Sequence, residues 1–150
     1  MGQSGVSGPE RCVVRVADIV EFPTALRSRC ALLRELGLSA YRDTEEELLD
    51  ALTRSAEDPR WLEVCLTDSR CRAFWDVFQQ GRTPFAEFDP VRLHEHGGRY
   101  WVVEGKHRVC LAKRAGVKEL GAVVYPLAED VLSLLPRQGE PGCFRFRFTC

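Results

Sequence analysis

The side chains best suited to chemistry stand together at Glu104-Gly105-Lys106-His107-Arg108. Two permanent cations, an imidazole and a carboxylate surround one glycine. That mixture suits an anion with several oxygens, phosphate above all. Gly105 lets the backbone approach the ligand, Arg108 can bind two oxygens at once, and Lys106 and His107 add donors. Phosphoryl transfer needs charge neutralisation and an oriented nucleophile more than covalent chemistry. Glu104 is therefore a candidate metal-binding carboxylate or base. His107 is a candidate donor to a phosphate oxygen, and Lys106 can screen developing charge.

The flanking residues say how such a turn would be held. Tyr100-Trp101-Val102-Val103 is aromatic and β-branched and reads as a buried strand. Val109, Leu111, Ala112 and Ala115 then predict a short helix ending at Gly116. Gly121 to Pro126 reads as another buried strand. Strand, turn and helix in that order bring free backbone N–H groups and cations to one helix start. Arg108 is expected on a solvated turn, where a bidentate contact contributes roughly 1.5–3 kcal/mol.

This arrangement resembles the ParB/sulfiredoxin superfamily, whose motif is similar to Gly-x-x-Arg or (Asp/Glu)-Gly-x-His-Arg. Glu104, Gly105, His107, Arg108 and Ala112 match it, over roughly residues 88–126, with a fainter echo near 12–23. The resemblance implies a small α+β domain that binds nucleotide phosphates, with ATP or CTP and Mg²⁺ as cofactors. Gly105, Lys106, His107 and Arg108 would hold the phosphates, and Glu104 and His107 would be the catalytic pair. In sulfiredoxins a catalytic Cys precedes the His-Arg of the motif; here Lys106 stands there, and Cys110 lies a turn further on. Repair of sulfinic acids is thus not expected. In the free serine kinases a catalytic Glu closely follows a Pro. Here Pro23 is followed by Thr24 and Ala25, and Glu21 comes just before it. In ParB proteins a helix-turn-helix and a dimerisation tail follow, and residues 127–150 are too few for both.

Composition narrows the classes further. Net charge is −1, with 45% hydrophobic and 29% charged residues, as in a globular domain rather than a protein that coats nucleic acid. No apolar run reaches the roughly 18 residues of a membrane helix. Residues 1–9 are Gly/Ser-rich without the apolar core of a signal peptide. The seven cysteines form no Cys-x-x-Cys pair. Cys30, Cys71 and Cys110 sit among helical apolar residues, where reduced thiols serve as small hydrophobes. A reducing cytoplasm is the expected location.

Taken in order, residues 1–11 are expected to be a disordered arm and 12–150 one α+β domain. A first strand is expected from 12 to 16, with Ile19 and Val20 leading into Pro23. Residues 24–83 form a helical insertion: a helix from Thr24 to Leu36 stopped by Gly37, a capping box Thr44-Glu45-Glu46-Glu47, and a later helix to Gln80 stopped by Gly81. Phe74, Trp75 and Phe78 form a core stripe along that last helix. Residues 84–126 are the motif-bearing core, with a hairpin turn at Gly97-Gly98. His94 and His96 share a face and could form a metal pair, but no third ligand is evident and no metal site is assigned. Residues 127–150 extend the domain, with a short helix near 130–135. There Phe144, Phe146 and Phe148 would face inward and Arg145 and Arg147 outward; a phosphate contact by that Arg face is an alternative.

Three functions compete. One is a nucleotide-dependent phosphotransferase or NTPase. Another is a DNA-associated ParB-type regulator lacking a helix-turn-helix, its DNA binding weak or absent. The third is a non-catalytic module whose helical block binds a protein partner or a second copy. No clustered carboxylates support a nuclease with two metals.

Overall fold

The computed structural model describes residues 8–80 and 90–127. The expected features at Gly81, at 84–89, at 130–135 and at 144–148 lie outside those residues. Five strands form one mixed sheet in the order β1-β5-β3-β4-β2. β1 (Glu10–Arg15) runs antiparallel to β5 (Glu119–Pro126), which runs parallel to β3 (Val91–His96). β3 and β4 (Arg99–Glu104) are antiparallel, and β4 is parallel to the two-residue β2 (Ile19–Val20). The first strand thus starts two residues earlier than expected, taking Glu10 and Arg11 from the arm. The hairpin turn is as read: Gly97 and Gly98 have φ of 59° and 78°, the double positive φ that matches strand twist.

Between β2 and β3 the helical block holds α1 (Ala31–Glu35), α2 (Glu45–Ser55), α3 (Trp61–Cys65) and α4 (Ser69–Gln79). The single helix expected from Thr24 to Leu36 is in fact two pieces. A 3-10 segment spans Pro23–Arg29, with Arg27 at φ 55°, ψ −148°, and Cys30 is extended before α1 begins. Side-chain demands outside the segment account for the break. Leu26 is buried, and Thr24 gives both its N–H and its hydroxyl to Glu45 at the start of α2. The Cys30 thiol then accepts the Leu33 N–H at 3.5 Å as the cap of α1. Gly37 ends α1 as read, through Leu38 N–H to Leu33 O and Gly37 N–H to Arg34 O. The capping box is also present: Glu47 N–H meets the Thr44 hydroxyl at 3.2 Å, and Thr44 N–H meets the Glu47 carboxylate at 2.9 Å.

The layers explain the site. α5 (Lys106–Arg114) follows β4 directly and lies between the sheet and the helical block. Its Val109 and Ala112 join Val14, Val91, Leu93, Val102 and Leu120 in the core on the sheet. Leu111 belongs instead to the core of the block, with Leu33, Leu48, Leu52 and Trp61. Residues 108, 111 and 115 share one stripe, and 109 and 112 the other. A short helix with two buried faces must be apolar on both, which residues 109–112 supply. A third cluster of Val20, Phe22, Trp101 and Leu127 closes the β2 end. The Phe74, Trp75 and Phe78 stripe does line the core, though each side chain is only partly buried. Among the described residues no helix is long and apolar enough to cross a membrane.

Candidate functional site

The turn from β4 into α5 is built around Gly105, which takes φ 105° as the N-cap residue. An L side chain is strained there, and a Cβ would stand 3.0 Å from Val91 Cγ2 and 3.3 Å from the Arg108 guanidinium carbon. The glycine is thus needed first by backbone conformation and by what packs on it. The Val109 N–H closes the first helical bond, to Gly105 O at 3.0 Å. The N–H groups of Lys106 and His107 precede it, ahead of the start of the helical ladder. Their positive end faces the same turn as the side chains of Lys106 and His107.

Arg108 departs from expectation. It is 4% exposed as a whole residue, and its guanidinium lies 5.8 Å from the centroid of the Phe74 ring. The expected solvated turn is therefore wrong for this side chain. The cause is α4, which covers the 108/111/115 stripe and folds the guanidinium back over Gly105. Arg108 packs against the turn at Gly105, while Lys106 borders a small cavity with Glu21, Pro23, Leu26 and Cys110.

His107 is more than half buried, and burial holds its imidazole below the usual histidine range. The charge of Arg70 adds to that, and Arg29 and Lys106 push the same way, while Asp68 opposes them. The imidazole is thus neutral at pH 7, able to accept a proton or donate one hydrogen bond. Arg29 ends the 3-10 segment and Arg70 is in the first turn of α4. Neither stands out in the sequence, because an arginine beside a helix end is ordinary. The usable signal was spacing: Arg70 lies four residues before Phe74 and so shares its face.

Glu104 is exposed at the end of β4, its carboxylate 3.7 Å from the Arg92 guanidinium across the β3–β4 pair. Glu21 is not available as a displaced catalytic carboxylate. It accepts from both terminal nitrogens of Arg114 at 3.2 Å, and the two side chains are each 7% exposed. His94 and His96 share a face of the sheet, as read. His94 meets the Tyr125 ring edge-on at 6.1 Å, and its Nδ1 is buried without a hydrogen-bond partner. Among the described residues no three His, Cys, Asp or Glu side chains gather as a metal site.

Cys12, Cys30, Cys65, Cys71 and Cys110 are free thiols. Burial pushes Cys65 up to about 12 and Cys71 to about 11, and lifts Cys110 well above the ordinary thiol range. Cys110 is thereby held as a thiol rather than the thiolate that acts as a nucleophile. An open groove of about 580 Å³ lies between α1 and α3, lined by Arg34, Glu35, Glu63 and Thr67, and shares no residue with the turn. No family model matches this chain, and no curated protein or solved structure matches it either.

Proposed function

We propose that this chain is a ParB/sulfiredoxin-like domain that binds nucleotide phosphates at Gly105–Arg108, for phosphoryl transfer or nucleotide hydrolysis. The observation that carries the reading is the gathering of positive charge at the start of α5. Burial and the charge of Arg70 lower the His107 pKa, Arg29 and Lys106 add to this while Asp68 opposes it, and the N–H groups of Lys106 and His107 stand ahead of the first helical bond. A phosphate there would meet backbone donors and cations together. Lys106 and His107 contact its oxygens, and the buried Arg108 holds the turn in shape. ATP or CTP is the nucleotide in this reading. Among the described residues no set of ligands gathers for a resident Mg²⁺, and in this reading the metal arrives on the nucleotide. Glu104 is then an exposed carboxylate at the rim rather than a buried base.

Calorimetric titration with ATP, CTP and ADP, with and without Mg²⁺, tests the reading, paired with NMR titration of the His107 ring. Binding should raise the His107 pKa from its depressed value, because the added negative charge favours the imidazolium. Lys106→Gln should weaken binding by about tenfold, the loss of one charge-assisted contact. A wild-type protein that binds none of the three nucleotides would sink the proposal.

A further inference from the structure

We propose that the face of the sheet turned away from α5 is a docking surface, and that its occupant is residues 128–150 of this same chain. The inference is independent of the phosphate reading and concerns the opposite side of the sheet.

Strand register separates the two faces. Val14, Val91, Leu93, Val102 and Leu120 pack in one core with Val109 and Ala112 of α5. Alternate residues of a strand take opposite faces, so Val13, Val123, Tyr125, His94, Trp101 and Val20 lie on the other. Tyr125, His94, Trp101 and Val20 stand opposite one another in turn and form one row across four strands. Val13 is 68% exposed and Val103 44%, and among the described residues no α-helix contributes to the apolar cluster on this face. β3 and β5 pair in parallel, as do β2 and β4, and strands paired in this way are normally covered on both faces.

The cover begins where the described chain stops. Leu127 continues the alternation of β5 on this face, is 8% exposed, and packs with Val20, Phe22 and Trp101. Its N–H donates to Glu95 O at 2.9 Å, so the backbone is still held beside β3 at that point. The residues that follow are thus delivered to this face rather than to α5. Their sequence suits it: four aliphatic residues fall between 131 and 135, and Phe144, Phe146 and Phe148 alternate with Arg145 and Arg147. Five strands about 4.8 Å apart span about 20 Å, which about six extended residues cross. Residues 128–150 are therefore long enough to reach the exposed Val13 on β1. Tethered at Leu127, they compete at an effective concentration on the order of millimolar against any separate molecule.

The test is NMR on the full-length protein, with labelled valine and leucine methyls and labelled phenylalanine rings. NOEs should join the methyls of Val13 or Val123 to the rings of Phe144, Phe146 or Phe148. In an equal mixture of copies labelled only on methyls and copies labelled only on rings, those NOEs should be lost. Phe144→Ser/Phe146→Ser/Phe148→Ser should raise the fluorescence of a hydrophobic dye at least about threefold, while the methyl signals of Leu48 and Leu52 in the helical block stay in place. Val123→Glu changes the face instead of its occupant and should raise the dye signal to a similar level; Thr53→Glu, exposed on α2, should not. NOEs that persist in the mixture would put a second copy on the face and overturn the proposal. If wild type shows no such NOEs, the proposal also falls, and strong dye binding by wild type would then mark a surface left for a separate protein. It falls again if both the triple variant and Val123→Glu leave dye binding at the wild-type level.

Discussion

Arg108 shows how burial changes what a residue can be asked to do. On an open turn its guanidinium would bind ligand, and its loss would leave the fold untouched. Under α4, with Phe74 against it and Gly105 beneath it, the side chain is part of the core. Truncation at such a site removes packing and leaves its polar neighbours unsatisfied. Arg108→Ala should therefore destabilise the protein by about 2–3 kcal/mol. A shift of the denaturant midpoint measures this, and binding should fall with it because the turn loses its support. Arg108→Lys should recover less than half of the stability, since an ammonium cannot reproduce the guanidinium's contact with the ring and with Gly105. Wild-type stability in Arg108→Ala, with binding alone lost, would put the guanidinium back on the ligand.

At the scale of the element, Gly105 joins β4 to α5, and two constraints on it act together. The positive φ disfavours any L side chain, and the approach to Val91 leaves no room for one. Gly105→Ala should cost about 2 kcal/mol by equilibrium unfolding. Thr44→Ala at the exposed cap of α2 should cost about 1 kcal/mol, the scale of one cap. An equal loss at both would mean that Gly105 meets no more than ordinary helix-end strain. Elements with local causes were legible in the sequence. The capping box, the Gly97-Gly98 hairpin, the Gly37 and Gly116 helix stops and the aromatic and β-branched run of β4 each depend on a few neighbouring residues. What could not be read depends on contacts distant in sequence. The 3-10 segment at 23–29 is held by Glu45, Arg108 is buried by Phe74, and Glu21 is taken up by Arg114, 93 residues away. The turn between β4 and α5 was legible because its residues are contiguous.

For the whole molecule, the Glu21–Arg114 pair joins the chain leaving β2 to the last turn of α5, and so ties the sheet edge to the central helix. Two ions at 7% exposure have given up most of their hydration, and their mutual attraction repays that only while both are present. Arg114 also keeps a buried Nε without a partner, so the pair is not fully satisfied even in the native state. Its net contribution should accordingly be small, although either half alone is costly. Glu21→Leu and Arg114→Met should each destabilise by about 3 kcal/mol, because each leaves the partner's charge buried and uncompensated. The double variant Glu21→Leu/Arg114→Met should lie within about 1 kcal/mol of wild type, the apolar pair filling the space without a desolvation cost. Unfolding free energies of the four proteins complete the cycle. If the double variant is as unstable as the sum of the singles, the two side chains do not act as a pair. The edge of the sheet is then held to α5 by the apolar core that includes Ile19, Val102, Val109 and Ala112.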